Sequence, residues 1–285
     1  MTPDDLAALV RALALAALFQ AAGGALFIGY FGERLRLAAA PIERLVRAAA
    51  IAGFILIAAH GCIETARLGG TFADAWDHDL QALFWTSPGG VVHLVQLGTM
   101  AIVAVCASVH SRSLRLLGTV ASITATAAFA GSGHTSIHPL RGVLAPLLII
   151  HVTVGACWFG SLAPLLIVMR KARGTSAAVF NPFSRIAGCA VPLLGVVGIA
   201  TAILLVSTLA NWVRPYGLLL LVKCALFLSL LILAAYNRWK HVPAMLVGSR
   251  SAAIALRRSI IVEIVLIIAV LLTTSTLTTF YSPNS

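Results

Sequence analysis

Runs of 18 or more predominantly apolar residues recur along the whole chain, and this recurrence limits the fold more than any other feature. Such runs are the signature of membrane-spanning helices. Eight are read, at about 6–31, 46–66, 91–109, 114–132, 143–169, 186–210, 215–236 and 259–280. Each is long enough, at about 1.5 Å of rise per residue, to cross roughly 30 Å of hydrocarbon. Strand-period alternation is absent, which argues against an outer-membrane barrel. The expected fold is therefore all-α: a polytopic bundle of about eight transmembrane helices forming one domain over 1–285. Composition agrees, because 60% of the 285 residues are hydrophobic and only 10% are charged. With a mean hydropathy of +1.00 the chain cannot supply the solvated surface of a soluble domain. The first apolar run follows Asp4 and Asp5 rather than a basic segment, so it reads as a first spanning helix and not as a cleaved signal peptide. The five cysteines are isolated within apolar runs and form no C-x-x-C, which makes them packing residues.

A net charge of +11 raises the question of nucleic acid. The distribution of the cations answers it. Fifteen of the 20 basic residues fall in the first, third, fifth and seventh loops, while Arg67, Arg141 and Arg214 are alone in the second, fourth and sixth. That is the positive-inside pattern of a membrane protein and not a nucleic-acid surface. It puts the odd loops in the cytoplasm, and both termini on the outer side. Six of the nine acidic residues, Asp4, Asp5, Glu64, Asp74, Asp77 and Asp79, lean to that outer side, which favours an arriving cation by electrostatic steering alone.

The eight histidines sort onto this topology unevenly. His110 and His241 are cytoplasmic. His78, His134 and His138 lie in outward loops, and His93 opens the third helix from outside. His60 sits roughly 9 Å below the outer surface and His151 roughly 12 Å, by helical rise. Imidazole is the commonest transition-metal ligand, and ionisable groups inside a membrane are functional candidates by default. His60 and Glu64 are spaced i, i+4 and share a helix face. They can hold a cation, or close the helix end as a hydrogen-bonded pair. His134 follows Gly133 at a helix end where close approach is easy, and His138 precedes Pro139, which breaks the helix. His151 lies two turns before Trp158 on one face. The candidate metal ligands are thus His60, His134 and His151, converging near the outer boundary, with His93 as a fourth and Glu64 and His138 beside them. The segment Asp74–Asp79 has metal-friendly residue types but also reads as a solvated loop. Lys223 and Glu263, costly in lipid, should face the bundle interior, in a transport or a structural role.

Familiar engines are missing. There is no G-x-x-x-x-G-K-[ST], no H-E-x-x-H and no G-x-S-x-G. No catalytic residue is assigned and the chain is not read as an enzyme. Imidazole and carboxylate suit Cu(II), Zn(II) and Cu(I), so residue types alone do not choose the metal.

Several segments carry a resemblance. Gly133-His134 follows the fourth helix. His151 is followed by Trp158-Phe159-Gly160-Ser161-Leu162, an H…W-x-G-G-L pattern with Ser161 at the second glycine. Phe183-Ser184-Arg185-Ile186-Ala187 matches R-F-S-x-x-A, with Pro182 in place of the arginine. Tyr216-Gly217-Leu218-Leu219-Leu220-Leu221-Val222-Lys223 matches Y-G-x-L-L-x-K, and Asn237-Arg238, Arg258 and Glu263 follow in order. In this order and spacing the chain resembles the bacterial copper resistance protein D (CopD) family, most strongly from about 130 to 280. The resemblance implies copper as the ion handled at the inner membrane, with uptake into the cytoplasm as the role. It also implies a periplasmic CopC-type copper-binding partner. Two other readings stand beside this one. One is a b-type haem protein, with paired histidines as axial ligands. The other is a structural or assembly subunit with no substrate of its own.

Overall fold

In a computed structural model, residues 2–107, 111–171, 176–205 and 214–281 are described. Among them the helices run α1 Pro3–Leu35, α2 Ala39–Gly69, α3 His78–Thr86, α4 Pro88–Cys106, α5 Arg112–Ala127, α6 His134–Ile137, α7 Arg141–Lys171, α8 Ser176–Leu205, α9 Pro215–Tyr236, α10 Val242–Leu246 and α11 Arg250–Phe280. Eight helical segments are long and apolar enough to cross a membrane: α1, α2, α4, α5 with its 3-10 extension to Gly131, α7, α8, α9 with its continuation to Leu246, and α11. No strand occurs among the described residues. The chain is an all-α polytopic membrane protein.

The observed helices outrun the apolar windows because helical hydrogen bonding does not stop where hydrocarbon stops. α2 begins at Ala39 rather than near 46, and α8 begins at Ser176 rather than near 186. α8 carries Pro182 and Pro192 inside it, so residues 176–185, expected to precede the helix, are already helical. His110, Arg173 and the predicted helix ends at 108–109 and 206–210 lie outside the described residues.

Local signals set the ends near the candidate site. Gly70, at φ 96°, takes the left-handed conformation that terminates α2, and its N–H caps Ala66 O. Thr71 and Asp74 then form a reciprocal capping box over the 3-10 turn Phe72–Trp76. Asp77 accepts from the N–H groups of Asp79 and Leu80 and starts α3. Ser87 accepts from Gly90 N at 3.1 Å, and Pro88 opens α4. The carboxylates of Asp74 and Asp77 are therefore spent on backbone caps.

α1 is the central helix, packed against α2, α5, α7 and α11. Small residues permit its closest crossing. A Cβ on Gly23 would collide with the Ala156 carbonyl of α7, and one on Gly160 would stand 2.6 Å from Gly23 Cα. In a membrane such close backbone approach, with its dispersion contacts, is what joins helices. Gln20 adds a hydrogen bond from Nε2 to Gly160 O at 3.1 Å. The start of α1 and the end of α11 lie at one end of the bundle, together with the α2–α4 connection. Arg67 of α2 proves the juxtaposition, because it reaches Asp4 of α1 and the Thr279 carbonyl of α11.

Candidate metal centre

The centre is built at that terminal end from α1, α2 and α4. His60 and Glu64 come from the last turns of α2, and His93 from the second turn of α4. His60 is 4% exposed, and its two ring nitrogens meet different partners. Nδ1 lies 2.9 Å from His93 Nε2. Nε2 lies 3.2 Å from Glu64 Oε1. The two imidazoles are parallel within 6°, with centroids 5.2 Å apart. Subtracting the 2.9 Å contact leaves one ring radius on either side, so the rings lie edge to edge in a common plane and are not stacked.

The hydrogens follow from the partners. His93 Nδ1 is 2.9 Å from Gly89 O, and a carbonyl only accepts, so His93 Nδ1 carries the hydrogen. In neutral His93 the Nε2 atom is then an acceptor, and His60 Nδ1–H donates to it. That fixes the His60 tautomer and leaves Nε2 as a bare lone pair. His60 Nε2 is buried and has no hydrogen bond of its own, the geometry toward Glu64 being unsuitable. That leaves an imidazole lone pair facing a carboxylate oxygen, with the Arg11 and Arg67 guanidiniums the cations already in range of it.

Glu64, 20% exposed at its side chain, is gripped by Arg67, whose Nη1 is 2.9 Å from both Oε1 and Oε2. Arg67 Nε in turn donates to Asp4 Oδ1 at 2.6 Å. Arg11 of α1 stands within electrostatic range of His60, His93 and Glu64. Above the pair, α3 lays Phe84 and Trp85 edge-on against the His93 ring, with centroids 5.3 and 6.4 Å away. Gly61 makes room for this cover, since a Cβ there would be 2.7 Å from Trp85 Cη2. Trp85 is fixed by its indole N–H donating to Gln81 Oε1 at 2.6 Å.

The other predicted ligands are placed as follows. His134 opens the four-residue α6 after Gly133, at φ 80°, and its side chain lies outside the described residues. The adjoining 3-10 turn packs on α4, with Gly131 against Val92, the neighbour of His93. His138 Nδ1 accepts the Leu140 N–H at 3.1 Å and so stabilises a turn. His151 packs against Gly198 of α8, within electrostatic range of Lys223. Its ring is buried beside the Leu194 backbone, and Nδ1 forms no well-aligned hydrogen bond among the described residues. Glu263 is 3% exposed and faces the interior, where it accepts from Asn237 Nδ2 at 2.6 Å. No ion pair joins Lys223 to Glu263 among the described residues. Nor do three or more His, Cys, Asp or Glu side chains among them form a ready metal cage.

Sequence reasoning found His60, Glu64 and His93 but missed Arg11, Arg67 and Asp4. Arg67 follows Glu64 at i, i+3, a spacing that announces a pair. Arg11 is a cation inside a spanning helix, which is itself a signal.

Comparison with known proteins adds the family. The profile "Copper resistance protein D-like, N-terminal domain" matches residues 1–143, and "Copper resistance protein D" matches residues 177–277. The inner membrane protein YebZ of Escherichia coli (strain K12) is 26% identical over 219 residues, 74% of this chain and 74% of that protein. No solved structure matches the chain. With one profile covering half the chain and a second covering most of its last third, the chain belongs to the copper resistance protein D family.

Proposed function

We propose that the protein takes up copper at the inner membrane, receiving it at the periplasmic, terminal end of the bundle and passing it toward the cytoplasm. The observation that carries this reading is the buried, unbonded His60 Nε2 facing Glu64 Oε1 at 3.2 Å. A first-row metal ion bonds imidazole nitrogen and carboxylate oxygen at about 2.0–2.2 Å. Two such bonds at a near-tetrahedral angle span little more than the present separation, so the pair can share an ion almost without moving. His93 then acts as the orienting partner that metal-bound imidazoles require on their other nitrogen. His134, on the segment beside α4, is a further ligand. Glu64 Oε2 keeps the Arg67 contact when Oε1 turns to the ion. One nitrogen and one carboxylate oxygen suit Cu(II), and family membership favours copper over zinc.

The basic loops put the opposite end of the bundle in the cytoplasm. A CopC-type copper-binding protein is then the natural donor at the terminal end. A haem ligated through the His60–His93 pair would need a slot between α2 and α4, and these helices pack directly against each other, with Gly53 on Met100.

Metal analysis of purified, copper-loaded protein tests the site. Wild type should hold copper stoichiometrically, His60→Ala should lose it, and His134→Ala should weaken it. His151→Ala should leave this seat intact. A triple alanine variant of His60, His93 and His134 that binds copper with unchanged stoichiometry and affinity would sink the proposal and favour a structural subunit.

A further inference from the structure

At the basic end of the bundle, α7, α8, α9 and α11 line a cavity of about 310 Å³. It is remote in sequence and in helices from the histidine pair. Its deep end is polar. Glu263 accepts from Asn237 Nδ2, the Trp158 indole faces the same carboxylate, and Asn237 Oδ1 is buried without a partner. Asn237 is only 6% exposed, so an unpaired amide oxygen there is costly. A π-helical turn, Asn237–His241, interrupts α9 at this level and brings Asn237 and Arg238 both to the cavity wall. Such turns concentrate at functional sites.

The walls are apolar and aromatic, from Trp158, Leu162, Phe180, Phe183 and Leu231. The mouth is spanned by Arg238, whose Nη1 donates to the Ser184 carbonyl of α8. The guanidinium lies directly over Gly188, where any side chain would collide with it. α8 packs along α7 but meets α9 at only a few places among the described residues, so the chamber borders the bilayer between α8 and α9.

We propose that this chamber binds the ring of a membrane quinol. The unpaired Asn237 oxygen and the Glu263 carboxylate ask for a hydroxyl donor. Arg238, with guanidinium N–H groups to spare beyond its bond to Ser184, offers donors to an oxygen at the other edge. Between them lie aromatic walls and a volume at the small end of ligand sites. A para-dihydroxylated ring satisfies both ends at once, and its isoprenoid tail leaves through the α8–α9 cleft. A lipid amine would leave Arg238 unused, and a fatty acid would leave Asn237 unpaired. A haem exceeds the volume.

The test uses metal-free, full-length protein in nanodiscs of quinone-free phospholipid, titrated anaerobically with a short-tailed 1,4-quinol. Quenching of tryptophan fluorescence should saturate at one ring per chain, and should be lost when both wall tryptophans, Trp158 and Trp239, are replaced by Phe. Asn237→Leu should weaken binding about tenfold, while Glu263→Gln, which keeps an acceptor for Asn237 Nδ2, should weaken it less. Melting temperatures of the variants identify any that fail to fold, and Phe183→Ala, on the wall, then replaces them. His60→Ala should bind the ring normally, so this result stands or falls apart from the copper site. Non-saturable partitioning overturns the proposal. So does equal binding by Asn237→Leu, or equal displacement by a long-chain amine or fatty acid.

Discussion

In the proposed copper seat, His60 is readied by the hydrogen that His93 accepts from its far side, and this division of labour predicts a split between two substitutions. His93→Ala should lower copper affinity roughly 10–100-fold, the usual effect of losing an orienting partner. His93→Gln keeps a carbonyl that can accept from His60 Nδ1–H, so it should retain most of the affinity in the same equilibrium measurement. If both variants lose copper completely, His93 is a ligand and not an orienter. Arg67 makes a second prediction. Arg67→Leu removes the partner of a partly buried carboxylate and should destabilise the protein by about 1–3 kcal/mol. Thermal unfolding in detergent should show it as a lowered midpoint. The i, i+4 spacing made the His60–Glu64 pair legible in the sequence. The His60–His93 contact joins residues 33 apart on different helices, and no local spacing encodes it. The sequence offered His93 only as one more imidazole at similar depth. The interior placement of Glu263 was legible from the cost of charge in lipid, but its partner Asn237 was not, because a π turn on another helix delivers it.

At the scale of elements, hydropathy made the eight spans readable, and capping chemistry decided where they end. The short α3 escaped because nine residues are too few for an apolar window. Yet Asp77 followed by His-Asp-Leu-Gln-Ala-Leu-Phe-Trp carries a start signal and an amphipathic face. That helix supplies the aromatic cover over His93. The α1–α7 crossing was equally hidden, since a glycine announces room but not what fills it. Two glycines test this. Gly23→Ala puts a methyl into the Ala156 carbonyl and should separate the helices, seen as loss of monodisperse protein on size-exclusion chromatography. Gly98 of α4 has open space around its Cβ direction. Gly98→Ala should leave the protein as stable as wild type or up to about 1 kcal/mol more stable, from helix propensity alone. Equal behaviour of the two variants would mean that the crossing does not hold the bundle together.

For the whole molecule, the asymmetry of basic residues predicts the orientation. Reporter fusions at 174 and 285 should report cytoplasm and periplasm respectively, and the same compartment for both would contradict the proposed topology. Within that frame the proposed copper seat and the proposed ring chamber use different helices, α1, α2 and α4 at one end and α7, α8, α9 and α11 at the other. The Arg67 guanidinium also imposes an order in time. It touches Asp4, near the start of the chain, and the Thr279 carbonyl, which is added 212 residues after Arg67 itself. During synthesis the first helices can insert and pair early, with Arg67 already on Glu64 and Asp4, but its bond to Thr279 O cannot form until the last turn of α11 arrives. A chain stalled or clipped before that turn would keep the Arg67–Glu64 pair, which lies within α2, but would lack the tie that fastens α11 to it, so the proposed seat would sit in a bundle still open on one side.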